Sequence, residues 1–143
     1  MDESQPPLKG QQEIASATLE PVPSPPGVPG TWVTITMPEF TCLCPRTGYP
    51  DFAQVLITYQ PGDFIIELKS FKLWLNSFRD AHHYHEELCA LVFETLSNLL
   101  KPQWLEVCLD YSRRGNVKTR VFRRSGPPPE TYADLRAEAL RDL

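Results

Sequence analysis

The sequence has neither a long apolar run nor an excess of positive charge. No segment approaches the roughly 20 apolar residues that a membrane-spanning helix needs, and the start of the chain lacks the basic and apolar regions of a signal peptide. A net charge of −4 offers no field that would collect nucleic acid by counterion release. We therefore expect a soluble, cytoplasmic protein whose partners include neither a membrane nor, directly, a nucleic acid.

Several familiar catalytic motifs are also absent. The sequence has no GxGxxG after a strand, no P-loop and no GxSxG, so the common dinucleotide, nucleoside-triphosphate and serine-hydrolase sites lack their usual residues. His82-His83-Tyr84-His85 and Cys42-Leu43-Cys44 do not have the spacing of zinc fingers or HExxH sites. No metal site is therefore predicted. The four cysteines, in a chain without an export signal, are interpreted as reduced thiols.

Residues 1–30 have few large apolar side chains and many prolines. Such a segment buries too little surface to offset the entropy of ordering it, so we expect a proline-rich disordered tail over 1–30. Residues 31–143 then form a single domain. A domain of this size can build a core, yet its site can require a neighbouring subunit, so we expect a homo-oligomer.

Hydrophobic periodicity in residues 31–143 predicts the element order ββααββ. Alternating apolar residues predict four strands, over 32–37, 53–59, 104–112 and 117–122. Helical spacing predicts two helices, over 68–80 and 84–101. This order implies an α+β fold with a four-stranded antiparallel sheet and both helices on one face. Joining subunits into a ring or barrel would remove the two open sheet edges.

A turn-rich loop between the first two predicted strands carries a thiol and a carboxylate. Cys44 and Asp51 lie seven residues apart, and Pro45, Gly48 and Pro50 between them favour a defined shape that is neither helix nor strand. Loops on a rigid scaffold often hold reactive groups. The first hypothesis is a cysteine nucleophile with a nearby acid, and the alternative is a half-buried cysteine in a structural turn.

A second group of polar residues lies at the start of the first predicted helix. Lys69 and Lys72 fall on one side of that helix, where they could hold a phosphate or form an ordinary solvated face. Glu67 follows an apolar strand, so its carboxylate must be paired or hydrogen-bonded if it is buried. His85 shares a helical face with Val92, which makes it a packed or a ligand-facing histidine.

These segments together resemble the unimodular QueF family, the NADPH-dependent 7-cyano-7-deazaguanine reductases of queuosine biosynthesis, a tRNA modification. The likeness lies in residues 40–52, in the run Glu-Leu-Lys-Ser-Phe-Lys-Leu-Trp at 67–74, and in His85-Glu86. It covers residues 31–143. The resemblance implies the tunnelling fold (T-fold), in which ββααββ subunits assemble into barrels with sites between neighbours. It also implies a four-electron reduction of a nitrile to an aminomethyl group, with NADPH as cofactor.

The resemblance also implies roles for individual residues. Cys44 matches the nucleophile that forms a covalent thioimide, and Asp51 matches the proton donor. The expected substrate-binding residues are Ile66, Glu67, Leu68, His85 and Glu86. The expected cofactor-binding cations are Lys69, Lys72 and Arg114. The chemistry agrees with these residue types, because thiolate addition turns a poor hydride acceptor into a more electrophilic C=N group, while an acid protonates the nitrogen.

Two other functions remain open at this point. One is a zinc-dependent pterin cyclohydrolase of the same fold, with cysteine and histidine as metal ligands. The other is a non-catalytic module that binds a purine-like ligand. The cysteine after His85-Glu86 falls at Cys89, one residue later than in some relatives, so a disulfide between Cys89 and Cys44 is not assigned.

Overall fold

The computed structural model describes residues 5–130 and 132–141. Its helices and strands are α1 Lys9–Ala15, β1 Pro21–Pro23, β2 Val33–Leu43, β3 Pro50–Gln60, β4 Phe64–Ile66, α2 Leu68–Asn76, a 3₁₀ helix Ser77–Asp80, α3 His85–Leu100, β5 Trp104–Tyr111, β6 Arg120–Arg124 and α4 Tyr132–Arg141. The order β2-β3-α2-α3-β5-β6 confirms the predicted ββααββ arrangement. No helix in the described part of the chain has the length and apolar composition needed to cross a bilayer.

The main sheet has four antiparallel strands in the order β2-β3-β5-β6. This confirms the predicted sheet, although β6 begins three residues later than the sequence pattern indicates. Residues Arg114 and Val117 exchange backbone hydrogen bonds of 3.0 Å, and the turn between them places Gly115 and Asn116 at positive φ angles of 56° and 66°. A two-residue turn of this kind matches the twist of a hairpin.

The core lies between this sheet and the helices α2 and α3. Val55 and Ile57 of β3 belong to the same buried cluster as Phe71 of α2 and as Leu88 and Leu96 of α3. The helical spacing of the apolar residues therefore places α2 and α3 on one face, as predicted. Fully burying a leucine stabilises a fold by about 1.5–3 kcal/mol, so this face supplies much of the driving force for folding.

The opposite face of the sheet is covered in part by α4. Leu56 and Cys108 are buried there together with Ala139 of α4. Helix α4 was not predicted, because the apolar residues of 132–141 include three small alanines among charged residues and so form only a weak stripe. Five consecutive residues of β3, from Val55 to Tyr59, are consequently buried.

Strand β2 contains a β-bulge that changes which of its side chains face the core. Met37 is opposite Val55, whereas Phe40 is opposite Ala53, so Pro38 and Glu39 stand against a single residue of β3. Before the bulge the odd-numbered residues of β2 face the helices, and after it the even-numbered residues do. Cys42 is thereby directed into the core, opposite Asp51.

The structure differs from the prediction that residues 1–30 form a disordered tail. Strand β1 pairs antiparallel with β4, with Pro21 opposite Ile66, and Leu19 is only 7% exposed within the main core cluster. The prolines are compatible with this pairing because β1 is the edge strand of a two-stranded sheet, where proline is tolerated. Part of the proposed tail therefore packs against the body of the domain.

Candidate active site

Cys44 follows β2 and begins the turn that leads into β3. The backbone N–H of Cys44 donates to the carbonyl of Tyr49 at 2.8 Å, and the N–H of Gly48 donates to the carbonyl of Cys44 at 2.8 Å. Gly48 has a φ of +70°, a conformation that glycine adopts without steric cost. The turn therefore fixes Cys44 two residues beyond the Cys42–Asp51 strand pair.

The thiol of Cys44 is partly exposed and has hydrogen-bond donors around it. The hydroxyl of Thr47, followed by the backbone N–H groups of Thr47 and Arg46 and the charge of Arg114, lowers the pKa of Cys44 to about 7. These contacts stabilise the thiolate. An accessible cysteine with such a pKa is a reactive nucleophile at neutral pH.

The other cysteines near this region have different surroundings. Cys42 is fully buried with its sulfur 3.8 Å from the hydroxyl oxygen of Tyr111, and burial raises its pKa. The thiol of Cys89 donates to the carbonyl of Val107 at 3.7 Å, and burial raises the pKa of this thiol to about 12. Cys42 and Cys89 thus behave as core residues, and both sulfurs are free.

Asp51 is the buried acid of this region and is only 7% exposed. Arg114 Nη1 donates to Asp51 Oδ1 at 2.7 Å, and His85 Nε2 lies 3.2 Å from Asp51 Oδ2. The ring of His85 stacks on that of Tyr111, with centroids 3.5 Å apart and planes at 6°. We call Cys44, Asp51, His85 and Arg114 the Cys44 cluster.

Two backbone contacts bring α3 to the cysteine loop. The N–H of Leu43 donates to the carbonyl of Ala81 at 2.9 Å, and the N–H of His83 donates to the carbonyl of Leu43 at 3.1 Å. Helix α3 begins two residues later with His85, and Glu86 lies exposed beside it in the first turn. The start of the helix therefore delivers one predicted substrate-binding residue to Asp51 and leaves the other open to solvent.

The remaining predicted residues gather around the start of α2. Glu67 is the N-cap of this helix, and its carboxylate accepts hydrogen bonds from the N–H groups of Lys69 at 3.1 Å and Ser70 at 2.6 Å. The N–H of Ser70 is the main reason that the pKa of Glu67 is lowered. Leu68, Lys69 and Lys72 are exposed. We call Ile66, Glu67, Leu68, Lys69 and Lys72 the Glu67 cluster.

These two clusters lie at opposite ends of the sheet. The N–H of Ile66 donates to the Tyr59 hydroxyl at 3.2 Å, and Tyr59 and Asp51 are eight residues apart on β3. A strand of that length spans about 26 Å. A single chain therefore does not bring Cys44 and Glu67 together. Arg114, which was grouped with the lysines as a cofactor-binding cation, lies with Asp51 instead.

Each cluster lines a separate cavity. The cavity at Asp51, His85 and Arg114 has a volume of about 170 Å³ and also contacts Tyr111. The cavity at Glu67 and Lys69 has about 450 Å³ and is partly walled by the segment before β1. The wall of this second cavity carries the ammonium group of Lys69 together with the carboxylates of Glu13, Glu20 and Glu67. Within the described ranges, no three His, Cys, Asp or Glu side chains form a group suited to a metal ion.

Sequence reasoning missed Tyr111 and Ser70. Tyr111 supports His85, and its position on the core face of a predicted strand was the available signal. Ser70 is buried at the third position of α2, where its hydroxyl accepts a hydrogen bond from the N–H of Glu20. Neither contact follows from spacing alone, because each depends on a segment distant in sequence.

Comparisons with known proteins agree on one family. The profile described as QueF-like protein matches residues 50–130. The NADPH-dependent 7-cyano-7-deazaguanine reductase of Aquifex aeolicus (strain VF5) is 51% identical over 116 residues, which cover 81% of this chain and 90% of that protein. The protein of the same description from Agrobacterium fabrum (strain C58 / ATCC 33970) is 46% identical over 116 residues, covering 80% and 74%.

A structural comparison supports the fold. The crystal structure of the archaeosine synthase QueF-Like in the apo form matches with a TM-score of 0.62 and 24% sequence identity. The match covers 68% of this chain and 96% of the other. The expected α+β T-fold of the subunit is thereby confirmed.

Proposed function

Since this chain belongs to the QueF family, we propose that it is an NADPH-dependent reductase that converts the nitrile of 7-cyano-7-deazaguanine into the aminomethyl group of 7-aminomethyl-7-deazaguanine, in queuosine biosynthesis. The balanced reaction consumes two NADPH and two protons for each nitrile. The observation that carries the proposal is the accessible Cys44 thiol, with its pKa lowered to about 7, on the turn beside buried Asp51.

Cys44 and Asp51 have complementary roles in the proposed mechanism. The Cys44 thiolate adds to the nitrile carbon, a C–S bond forms, and one π bond of the nitrile breaks as its nitrogen takes a proton from Asp51. His85 Nε2, 3.2 Å from Asp51 Oδ2, is placed to pass a proton to the carboxylate. Sulfur later leaves as thiolate, which restores Cys44. NADPH, when bound, supplies the two hydrides.

The other predicted residues bind the two ligands. Exposed Glu86 lies one residue from His85, and its carboxylate can accept two hydrogen bonds from the aminopyrimidinone edge of the base. The residues from Ile66 to Leu68 contact the base mainly through their backbone. Lys69 and Lys72 attract the phosphates of NADPH, and Arg114 joins them from the other cluster.

A complete site requires two copies of the chain. The cavity at Asp51 has about 170 Å³, whereas ligand sites commonly occupy about 300–1,000 Å³. The Glu67 cluster contacts β3 at Tyr59, about 26 Å along that strand from Asp51. We therefore propose that subunits assemble into a barrel through their sheet edges, which places the Cys44 cluster of one subunit against the Glu67 cluster of its partner.

The cysteines and the net charge indicate the cellular compartment and the class of substrate. The four cysteines form no disulfide with one another, which suits a reducing compartment, so we place the protein in the cytoplasm. The net charge of −4 favours a small-molecule substrate over direct binding to nucleic acid.

Intact-mass spectrometry tests the proposed chemistry. Mixing the protein with 7-cyano-7-deazaguanine in the absence of NADPH is expected to add the whole mass of the nitrile to the chain. Cys44→Ala should abolish this adduct, whereas the matched variant Cys42→Ala should retain it. Asp51→Asn should still bind the nitrile and form the adduct about 10²–10⁴-fold more slowly. An adduct that survives in Cys44→Ala would contradict the assignment of the nucleophile, and wild-type protein that oxidises no NADPH with this substrate would contradict the function.

A further inference from the structure

Two hydrogen bonds tie the segment before β1 to the start of α2, and a third lies within that start. The N–H of Glu67 donates to the carbonyl of Glu20 at 3.2 Å, and the N–H of Glu20 donates to Ser70 Oγ at 3.0 Å. The hydroxyl of Ser70 in turn donates to the carbonyl of Glu67 at 2.8 Å. Ser70 is buried, Glu67 is partly buried and Glu20 is exposed, so these hydrogen bonds are partly shielded from water.

Ser24, which directly follows β1, holds the chain on the other side of β4. The side chain of Ser24 donates to the carbonyl of Gly62 at 2.8 Å, and the N–H of Ser24 donates to the carbonyl of Asp63 at 2.9 Å. Leu19 anchors the segment in the core. Residues 62–67 are therefore held at both ends, with the β1–β4 pairing between them.

Helix α2 does not require these contacts in order to begin. The Glu67 carboxylate already accepts the N–H groups of Lys69 and Ser70, which is the usual way to cap a helix. What the segment adds is the direction of the backbone at 66–68 and one wall of the cavity beside Glu67 and Lys69. It thus acts where the proposed function places the base and the cofactor.

We propose that residues 19–24 are a positioning element of the active site, which acts through Ser70 to fix the substrate-binding turn at 66–68. The inference rests on the proposed function. The segment contributes no reacting group. It holds the turn in its binding conformation before the substrate arrives, and this lowers the cost of ordering the site on binding.

Steady-state kinetics of full-length Ser70→Ala test this inference. Loss of the two hydrogen bonds that the Ser70 hydroxyl makes, with the N–H of Glu20 and the carbonyl of Glu67, should raise KM for 7-cyano-7-deazaguanine about tenfold, while kcat changes by less than about twofold. Ser77→Ala is the matched control. Its hydroxyl also donates to the carbonyl three residues earlier, on Trp74, but Ser77 is exposed at the far end of α2. This control should leave both constants unchanged.

A second variant tests the hydrogen bond between Glu20 and Ser70 from the Glu20 side. Glu20→Pro removes the N–H that donates to Ser70 and should also raise KM. Both changes break the hydrogen bond between Glu20 and Ser70. The double variant Ser70→Ala/Glu20→Pro should therefore raise KM little more than either change alone. Melting temperatures measured in parallel identify a variant that fails to fold, and the other then carries the test.

The outcomes separate the inference from the proposed function. Unchanged KM in folded Ser70→Ala and Glu20→Pro, with normal turnover, would overturn the positioning role and leave the reductase activity intact. Wild-type protein without turnover of 7-cyano-7-deazaguanine would overturn the proposed function instead.

Discussion

At the scale of single residues, reactivity depends on a difference between two cysteines that are two positions apart. Cys44 is partly exposed on a turn with donors around its sulfur, whereas Cys42 is buried beside Tyr111. The same side chain is therefore a nucleophile at one position and a core residue at the other. Thr47 is the largest contributor to this difference at Cys44.

The pH dependence of alkylation measures the effect of Thr47. Since the pKa of Cys44 is about 7, its thiolate fraction, and with it the rate of reaction with iodoacetamide, should rise roughly tenfold between about pH 6 and pH 8. Thr47→Val removes the hydroxyl, so the midpoint should move to higher pH.

Thr95→Val makes the same chemical change on α3, where the hydroxyl donates to the carbonyl of Leu91. The midpoint of this control should not move. An identical profile for Thr47→Val and the wild type would show that another group stabilises the thiolate.

Residue types and spacing were sufficient to predict a thiol, an acid and a histidine for the site. The structure does bring Asp51 and His85 into contact, with Cys44 on the adjoining turn. Spacing could not predict that Arg114 pairs with Asp51 or that Glu67 caps a helix. Those contacts depend on the relative positions of residues in the folded chain. The periodicity of apolar residues predicts helices and strands but not which of their side chains come into contact.

At the scale of elements, long periodic segments were the most predictable. Helix α3 and strands β3 and β5 lie within a few residues of their predicted bounds, because each has a sustained apolar period. The three-residue strands β1 and β4 are too short to show any period. Their pairing depends on tertiary contacts, which explains why the segment containing β1 was expected to be disordered.

The turn between β3 and β4 depends on a close approach of two backbones. A Cβ atom on Gly62 would lie 2.0 Å from the carbonyl oxygen of Lys101, so Gly62→Ala forces one backbone to move. We expect this change to lower the free energy of unfolding by about 1–3 kcal/mol in chemical denaturation. Gly126→Ala is the control, because a Cβ there meets nothing within 4 Å. Equal midpoints for both variants would show that the turn adapts freely.

At the scale of the whole molecule, the stability of the domain includes the segment before β1. Leu19→Ala should lower the free energy of unfolding by about 2–4 kcal/mol, because it removes a side chain that is only 7% exposed in the core. Leu8→Ala changes the same residue type at a position that is 72% exposed and should have little effect. Thermal unfolding followed by circular dichroism compares the two. Equal melting temperatures would support the original expectation of a disordered tail.

Mixing two inactive variants tests whether sites form between subunits. Cys44→Ala lacks the nucleophile, and the double variant Lys69→Ala/Lys72→Ala lacks the cations at the Glu67 cluster. If each site uses one cluster from each of two subunits, exchange of subunits creates some sites with both clusters intact. NADPH oxidation should then recover in part. No recovery after demonstrated exchange would indicate that both clusters of a site come from one chain.

The bulge in β2 gives the strand one residue more than its pairing with β3 requires. Neither Pro38 nor Glu39 belongs to the proposed site, and the two together stand against a single residue of β3. Deleting either one would therefore restore an unbroken ladder in which Met37, Phe40 and Cys42 all still face the core. Such a protein would keep Cys42 opposite Asp51, and would lose only the bend and the added twist that the bulge gives to β2 ahead of Cys44.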